Sequence, residues 1–185
     1  MDKLLKKVLI LLIFVIALSC GKDKDVDNEK TVGKFQWSEN ISVEQIPNNP
    51  ITGVMNGKEI KIEYVNYEQW RGSGDNVINI GNRSPKQNCG YVENDDAFHL
   101  MNVAGEFKEG EFIKGNFDTN IEGVIADYHY YDANNNIVKV NVPWNCALLI
   151  TELGDDIVKG KIAICFKDDK KSWIAGTFEA IRCFN

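Results

Sequence analysis

The stretch Ile157-Val158-Lys159-Gly160-Lys161-Ile162-Ala163-Ile164-Cys165-Phe166 decides the fold class. Val158, Gly160, Ile162, Ile164 and Phe166 fall on alternate positions, with Lys159 and Lys161 between them. Successive side chains leave a strand on opposite sides, so a period of two marks a β-strand with one core face and one wetter face. After the polar turn Lys167 to Ser172 the pattern resumes, with Ile174, Gly176, Phe178 and Ala180 opposed to Thr177 and Glu179. The two strands pair antiparallel through that turn.

Toward the N-terminus, Ile121 to Tyr131 and Ile137 to Ile150 complete an expected meander of adjacent antiparallel strands, joined by turns of Asn, Asp and Gly. Val54-Met55-Asn56-Gly57-Lys58-Glu59-Ile60 sets Asn-Gly between two β-rich runs, a strong hairpin signal, and Ile60, Ile62 and Tyr64 then alternate with Lys61 and Glu63. Val77 and Ile80 mark a further short strand, Ser84 to Gly90 a loop, and Phe98 to Val103 another strand. Gly105 to Phe117 repeats Gly-Glu-Phe once, too few copies for a repeat architecture. No window from Phe35 onward sustains a 3.6-residue period. The expected fold is all-β, a single-domain antiparallel β-sandwich with a β-barrel as the alternative.

The N-terminus has a different character. A basic segment, Lys3 to Lys7, precedes the apolar run Val8 to Leu18, which is too short to span a bilayer and ends in Ala17-Leu18-Ser19-Cys20. This is the pattern of a cleaved signal peptide, residues 1–19. Its last four residues resemble a lipobox, although Ala17 and Leu18 stand in the reverse of the family's preferred order. The resemblance implies cleavage before Cys20 and acylation of its thiol, which would make the membrane a partner through lipid. An ordinary signal peptidase would accept Ala17 and Ser19 and cut at the same bond. Gly21 to Thr31 has few apolar residues and reads as a flexible tether, so residues 20–31 carry the anchor and 32–185 the β domain.

A lysine followed by acidic residues behind that cysteine resembles the export signal of surface lipoproteins of Bacteroidota. Together with the Gly-punctuated ending Gly176-Thr177-Phe178-Glu179-Ala180-Ile181-Arg182-Cys183, the whole resembles small uncharacterised lipoproteins of that group. The resemblance implies an outer-membrane or cell-surface location, with a periplasm-facing one as the alternative. It implies no activity.

Five cysteines are present, and lipidation of Cys20 leaves Cys89, Cys146, Cys165 and Cys183, an even number in an oxidising setting and therefore disulfide candidates. Pairing the last two strands puts Cys165 near Ala175, far along the strand from Cys183, which argues against a Cys165–Cys183 bridge. Cys89 is left to pair with Cys183 or with Cys165.

The chain carries a net charge of −6, and removal of residues 1–19 leaves 18 basic against 26 acidic residues, net −8. That balance argues against nucleic acid as a partner, since phosphate must be neutralised by Lys and Arg. No metalloprotease, nucleophile-elbow, P-loop or dinucleotide motif occurs, and no Cys-x-x-Cys, so no catalytic residue, metal ligand or cofactor is assigned. Asp132 to Asn136 opens like a calcium loop, but Ile137 and Pro143 stand where Gly and Glu are needed.

Two groups of side chains remain as candidates. Asp127-Tyr128-His129-Tyr130-Tyr131-Asp132 concentrates polar and aromatic types around one of only two histidines, the other being His99. Tyr67 and Trp70 stand near a Gly-rich loop, and Trp144 and Trp173 on the C-terminal strands. Exposed rings stack on sugars or on a protein partner. Trp70, Tyr67, Tyr128, His129 and Tyr130 are accordingly the candidate ligand-binding residues of a non-catalytic binding module for a glycan or protein. A small hydrolase with a His/Asp site and an envelope-structural role are the alternatives.

Overall fold

The computed structural model describes residues 35–70, 74–83, 88–90, 97–102, 107–115, 117, 124–140 and 142–183. The signal peptide, Cys20, the tether and the loop residues 72–73, 84–87 and 103–106 considered above lie outside them.

Asn56 and Gly57 both adopt left-handed backbone, at φ 48° and 76°, the geometry that a two-residue hairpin needs to match the twist of its strands. They join β1 (Thr52–Met55) to β2 (Lys58–Lys61) as the Asn-Gly pair predicts. Next come β3 (Tyr64–Gln69), β4 (Asn76–Gly81), β5 (Ala97–Asn102), β6 (Gly110–Lys114), β7 (Val124–Tyr131), β8 (Ile137–Val140), β9 (Trp144–Leu153), β10 (Ile157–Phe166) and β11 (Trp173–Cys183). The fold is all-β, as expected, and one turn of 3₁₀ helix, Val43–Gln45, precedes the strands.

The eleven strands among the described residues belong to one sheet, in the order β6-β9-β10-β11-β3-β4-β5-β7-β8, with β1 and β2 branching from β11. The fork lies within β11. Its first residues, Trp173 to Ala175, pair with β1, whereas Ile181 to Cys183 pair with β3. Between the two, Gly176 sits at φ 150°, and a Cβ there would lie 2.6 Å from both the Asn49 carbonyl oxygen and the Ile51 Cα. Glycine lets the chain at Asn49–Ile51 cross the strand closely enough for the Thr177 amide to donate to the Asn49 oxygen at 2.8 Å.

The sheet is mixed: β11 and β3 run parallel and every other strand pair is antiparallel. It curls into a half-barrel that brings the inner faces of its two arms together. Phe98 of β5 and Tyr128 of β7 meet Phe166 of β10 at ring-centroid distances of 6.2 and 4.6 Å. The same core takes Val65, Tyr67, Ile78, Ile80 and Leu100 from one arm and Leu148, Ile150, Ile162, Ile164 and Phe178 from the other. Polar groups stitch the arms as well. The Tyr128 hydroxyl donates to Asp168 at 3.0 Å, Ser172 donates to the same carboxylate, and the Asn56 amide donates to the Ser172 hydroxyl.

A second apolar layer covers the outer face of β9–β11. Ala147, Ala163 and Ala175 stand in one cross-strand row, and their small side chains leave a shallow floor. Phe35, Ile41, Val43 and Ile46 dock on it. Asn145 clamps this segment by donating to the carbonyl oxygens of Ser38 and Glu39, each at 2.9 Å.

Two expectations are corrected. The continuous strand Ile137 to Ile150 is two strands broken before Trp144. Pro143 lacks an amide hydrogen and has a fixed φ, so the ladder stops there. β8 stays on β7 at one sheet edge while β9 pairs with β6 and β10, so the expected meander breaks between β8 and β9 and holds for β7–β8 and for β9–β11. The second correction concerns the cysteines. Of the two pairings left open for Cys89, the bond is to Cys183 as one of them has it, but Cys146 and Cys165, also disulfide candidates, are free and buried rather than bridged. Cys146 is opposite Ile164, and Cys165 opposite Asn145, so the two thiols face opposite sides of the sheet, one in each apolar layer. Cys165 is opposite Trp173 and not Ala175, a shift that takes it still farther from Cys183. Burial pushes the Cys165 thiol up to about 12 and raises Cys146 as well, which suits inert packing.

Candidate functional site

The N-terminal segment that caps β9–β11 leaves the outer face of the β1–β2 hairpin uncovered. That step in the surface forms a groove of about 590 Å³ lined by Phe35, Gln36, Trp37, Thr52, Gly53, Val54, Glu59, Ile60, Lys61 and Trp173. Register explains its chemistry. Glu59 lies opposite Val54 and Val54 opposite Trp173, while Lys61 lies opposite Thr52 and Thr52 opposite Ala175. The alternating pattern of β2 thus lays an acid and a base on the floor, and the end of β11 raises an indole beside them.

The aromatic wall is braced from behind. Phe35 packs on Trp173 at 5.2 Å between centroids, and Trp37 stacks on Phe117 at 5.3 Å. The Trp37 indole N–H donates to the Phe166 carbonyl oxygen at 2.8 Å, and the Lys171 ammonium sits 5.0 Å from the Trp37 ring. Both indoles are half-buried, so they are held in place while keeping area exposed to the groove. A concave site of this size with fixed rings and a few polar groups is the usual form of a small-ligand pocket.

A second constellation lies on the outer face of β3, β4, β5 and β7. Asn66, Asn79 and His99 form a cross-strand row, all buried. Asn79 donates both amide hydrogens, to Asn66 Oδ1 at 2.7 Å and to Glu68 Oε1 at 2.8 Å. Its oxygen must therefore accept from His99 Nδ1 at 2.6 Å, which assigns His99 as the Nδ1-protonated neutral tautomer. Asn66 in turn donates to the Gly90 carbonyl oxygen at 2.9 Å, Tyr64 donates to that of Asn88, and the Trp70 indole donates to Glu68 at 2.9 Å. Burial, with the neighbouring His129 and Lys139, pulls the His99 pKa down to about 3. The His129 ring stacks on His99 at 5.9 Å. Residues 88–90, tied down by Cys89–Cys183, lie against this row.

The five aromatic and imidazole candidates are thereby dispersed. Tyr67 and Tyr128 have their rings in the inner core, the Tyr67 hydroxyl donating to Asn76 at 3.0 Å. Tyr130 packs at the rim of that core and lines a smaller cleft of about 310 Å³ between the two hairpin turns, with Met55, Asn56, Lys58, Tyr131, Asp132 and Ala133. His129 faces the other side of β7, buried with His99. Trp70 stands at the end of β3, engaged by Glu68. The Asp132 carboxylate accepts from the backbone amides of Asn134 and Asn136, closing its own turn.

No protein-family model, curated protein or solved structure matches the chain.

Of the groove residues, Trp173 stands among the aromatic candidates of the sequence, whereas Val54 and Glu59 to Lys61 read there only as parts of a hairpin. Phe35 and Trp37 belong to a segment without strand alternation, and nothing local shows which face it will cover. The available signal was their spacing: Phe35 and Trp37 flank Gln36, two large rings two positions apart just ahead of the first strand.

Proposed function

We propose that this chain is a lipid-anchored envelope protein, cut before Cys20 and acylated there, whose β domain is a non-catalytic binding module at the outer membrane or cell surface. The observation that carries the binding part is the groove of about 590 Å³ with Phe35, Trp37 and Trp173 braced on one side and Thr52, Glu59 and Lys61 on the other. Fixed rings beside a few hydrogen-bonding groups select a ligand by shape and edge chemistry and need no reactive group. The hydrolase alternative draws less support, because His99 and His129 are each 4% exposed and neither lines the groove.

Two measurements test the reading. Intact mass of the chain purified from membranes is expected to show the acylated form beginning at Cys20, and Cys20→Ala to abolish it; an unmodified Cys20 thiol would overturn the anchor. Quenching of tryptophan fluorescence by ligands from an oligosaccharide panel is expected to weaken in Trp173→Phe and to persist in His129→Ala. Hydrolysis of any panel member that depends on His129 would overturn the non-catalytic reading.

A further inference from the structure

The charge of the groove is balanced. Glu59 and Lys61 stand two positions apart on β2, on one face of the strand, and are the one carboxylate and the one ammonium among the described lining residues. Thr52, opposite Lys61, and Gln36 add a hydroxyl and an amide, each able to donate and to accept. The backbone beneath is engaged on both edges: β1 pairs with β2 on one side and with β11 on the other, so the floor offers side chains and no open ladder.

The two indoles differ in what they can offer. Trp37 lies nearly parallel to Phe117, at 18° and 5.3 Å, and its ring also carries the Lys171 ammonium at 5.0 Å. Trp173 meets Phe35 at 54°, braced without being overlaid, and it lies opposite Val54, which in turn is opposite Glu59. Trp173 is therefore the platform and Trp37 a wall.

We infer that the groove takes an uncharged oligosaccharide, a short run of neutral pyranoses; this rests on the binding-module reading above. A pyranose has an apolar C–H face, which matches a fixed, half-buried indole, and a rim of hydroxyls that donate and accept at once. Such a rim uses an acceptor-only carboxylate and a donor-only ammonium side by side, as Glu59 and Lys61 stand. A ligand of either charge loses to one of the pair what it gains from the other. Nor does the net −6 of the chain draw an anion toward the groove. A peptide that docks by adding a strand needs a free sheet edge, and the floor at β1 presents none. Two strand spacings separate β2 from β11, roughly 10 Å, which leaves room for linked rings.

The test uses the full-length chain in a detergent without a sugar headgroup, titrated calorimetrically with five probes. Cellotetraose and β-1,4-galactotetraose are neutral, tetragalacturonate is acidic, a fully deacetylated chitosan tetramer is cationic, and an end-blocked Ser/Tyr pentapeptide is uncharged but not a sugar. At least one neutral tetrasaccharide is expected to bind more tightly than either charged one, with an affinity that changes less than about twofold between low and high salt. Trp173→Phe, which keeps a ring in place, is expected to weaken that binding about fivefold. Glu59→Gln and Lys61→Gln, at exposed positions that leave folding intact, are each expected to weaken it by a smaller factor. Tighter binding of tetragalacturonate abolished by Lys61→Gln, or of the chitosan tetramer abolished by Glu59→Gln, overturns the neutral assignment and leaves the binding module standing. Binding of the pentapeptide alone, weakened in Trp173→Phe, does the same to the saccharide assignment. Binding of none of the five overturns both.

Discussion

The His99 Nδ1 lies 2.6 Å from the Asn79 Oδ1, and that contact orders a chain of buried polar groups from β5 to the disulfide-bonded segment 88–90. With His99 neutral and its pKa near 3 in the fold, against about 6.5 in an unfolded chain, the unfolded state binds more protons between those values. Stability from this site is complete above about pH 6.5 and is lost as pH falls toward 3, at up to about 1.4 kcal/mol per pH unit. Urea unfolding at pH 7 and pH 4.5 is expected to show that loss, and His99→Gln to flatten the slope. A slope unchanged in His99→Gln would place the acid sensitivity elsewhere.

Asn79 is the node of the row. Asn79→Leu removes the acceptor of the His99 N–H and the donor to Asn66 Oδ1 together, while Glu68 keeps the Trp70 indole, and each buried bond lost costs about 1–3 kcal/mol. A fall in unfolding free energy above about 2 kcal/mol checks this.

The Cys89–Cys183 bridge joins Cα atoms 5.7 Å apart across 94 residues of chain. Cys183→Ser is expected to cost about 2–5 kcal/mol and to release segment 88–90, raising amide exchange in β3. Peptide mapping without reductant is expected to recover Cys89 linked to Cys183. Thiol titration of the native domain is expected to miss Cys146 and Cys165, and titration of the denatured chain to find both.

Gly176 permits the crossing on which the fork of β11 depends. Gly176→Ala forces a Cβ to within 2.6 Å of the Asn49 carbonyl oxygen at a backbone conformation that L-residues avoid, for a loss of at least about 1–3 kcal/mol. Gly74→Ala, with open space around it, is the comparison: a strained φ but no collision, and a smaller loss in thermal unfolding.

The all-β class was legible because alternation is local. Val158 to Phe166 and Ile174 to Ala180 show their inner faces residue by residue, and Asn56-Gly57 states its own turn. The groove was not legible, since Phe35 and Trp37 act through residues far along the chain, Phe117, Phe166 and Trp173. Lys114 makes the same point. A lysine on the edge strand β6, it is nonetheless 1% exposed, with its ammonium 4.4 Å from the Trp144 ring.

What the sequence by itself determined is therefore the short-range part: strand periodicity and the hairpin at Asn56-Gly57, with strand length arguing against a Cys165–Cys183 bridge. Only the tertiary structure decided which strands adjoin, that Cys146 and Cys165 face opposite sides of the sheet, and that Tyr67 and Tyr128 serve the core while Trp37 and Trp173 wall a groove. Period-two alternation specifies two faces for each strand but not its neighbour. Neighbours are chosen by burial across the curled sheet, a sum over contacts distant in the chain that no local window contains.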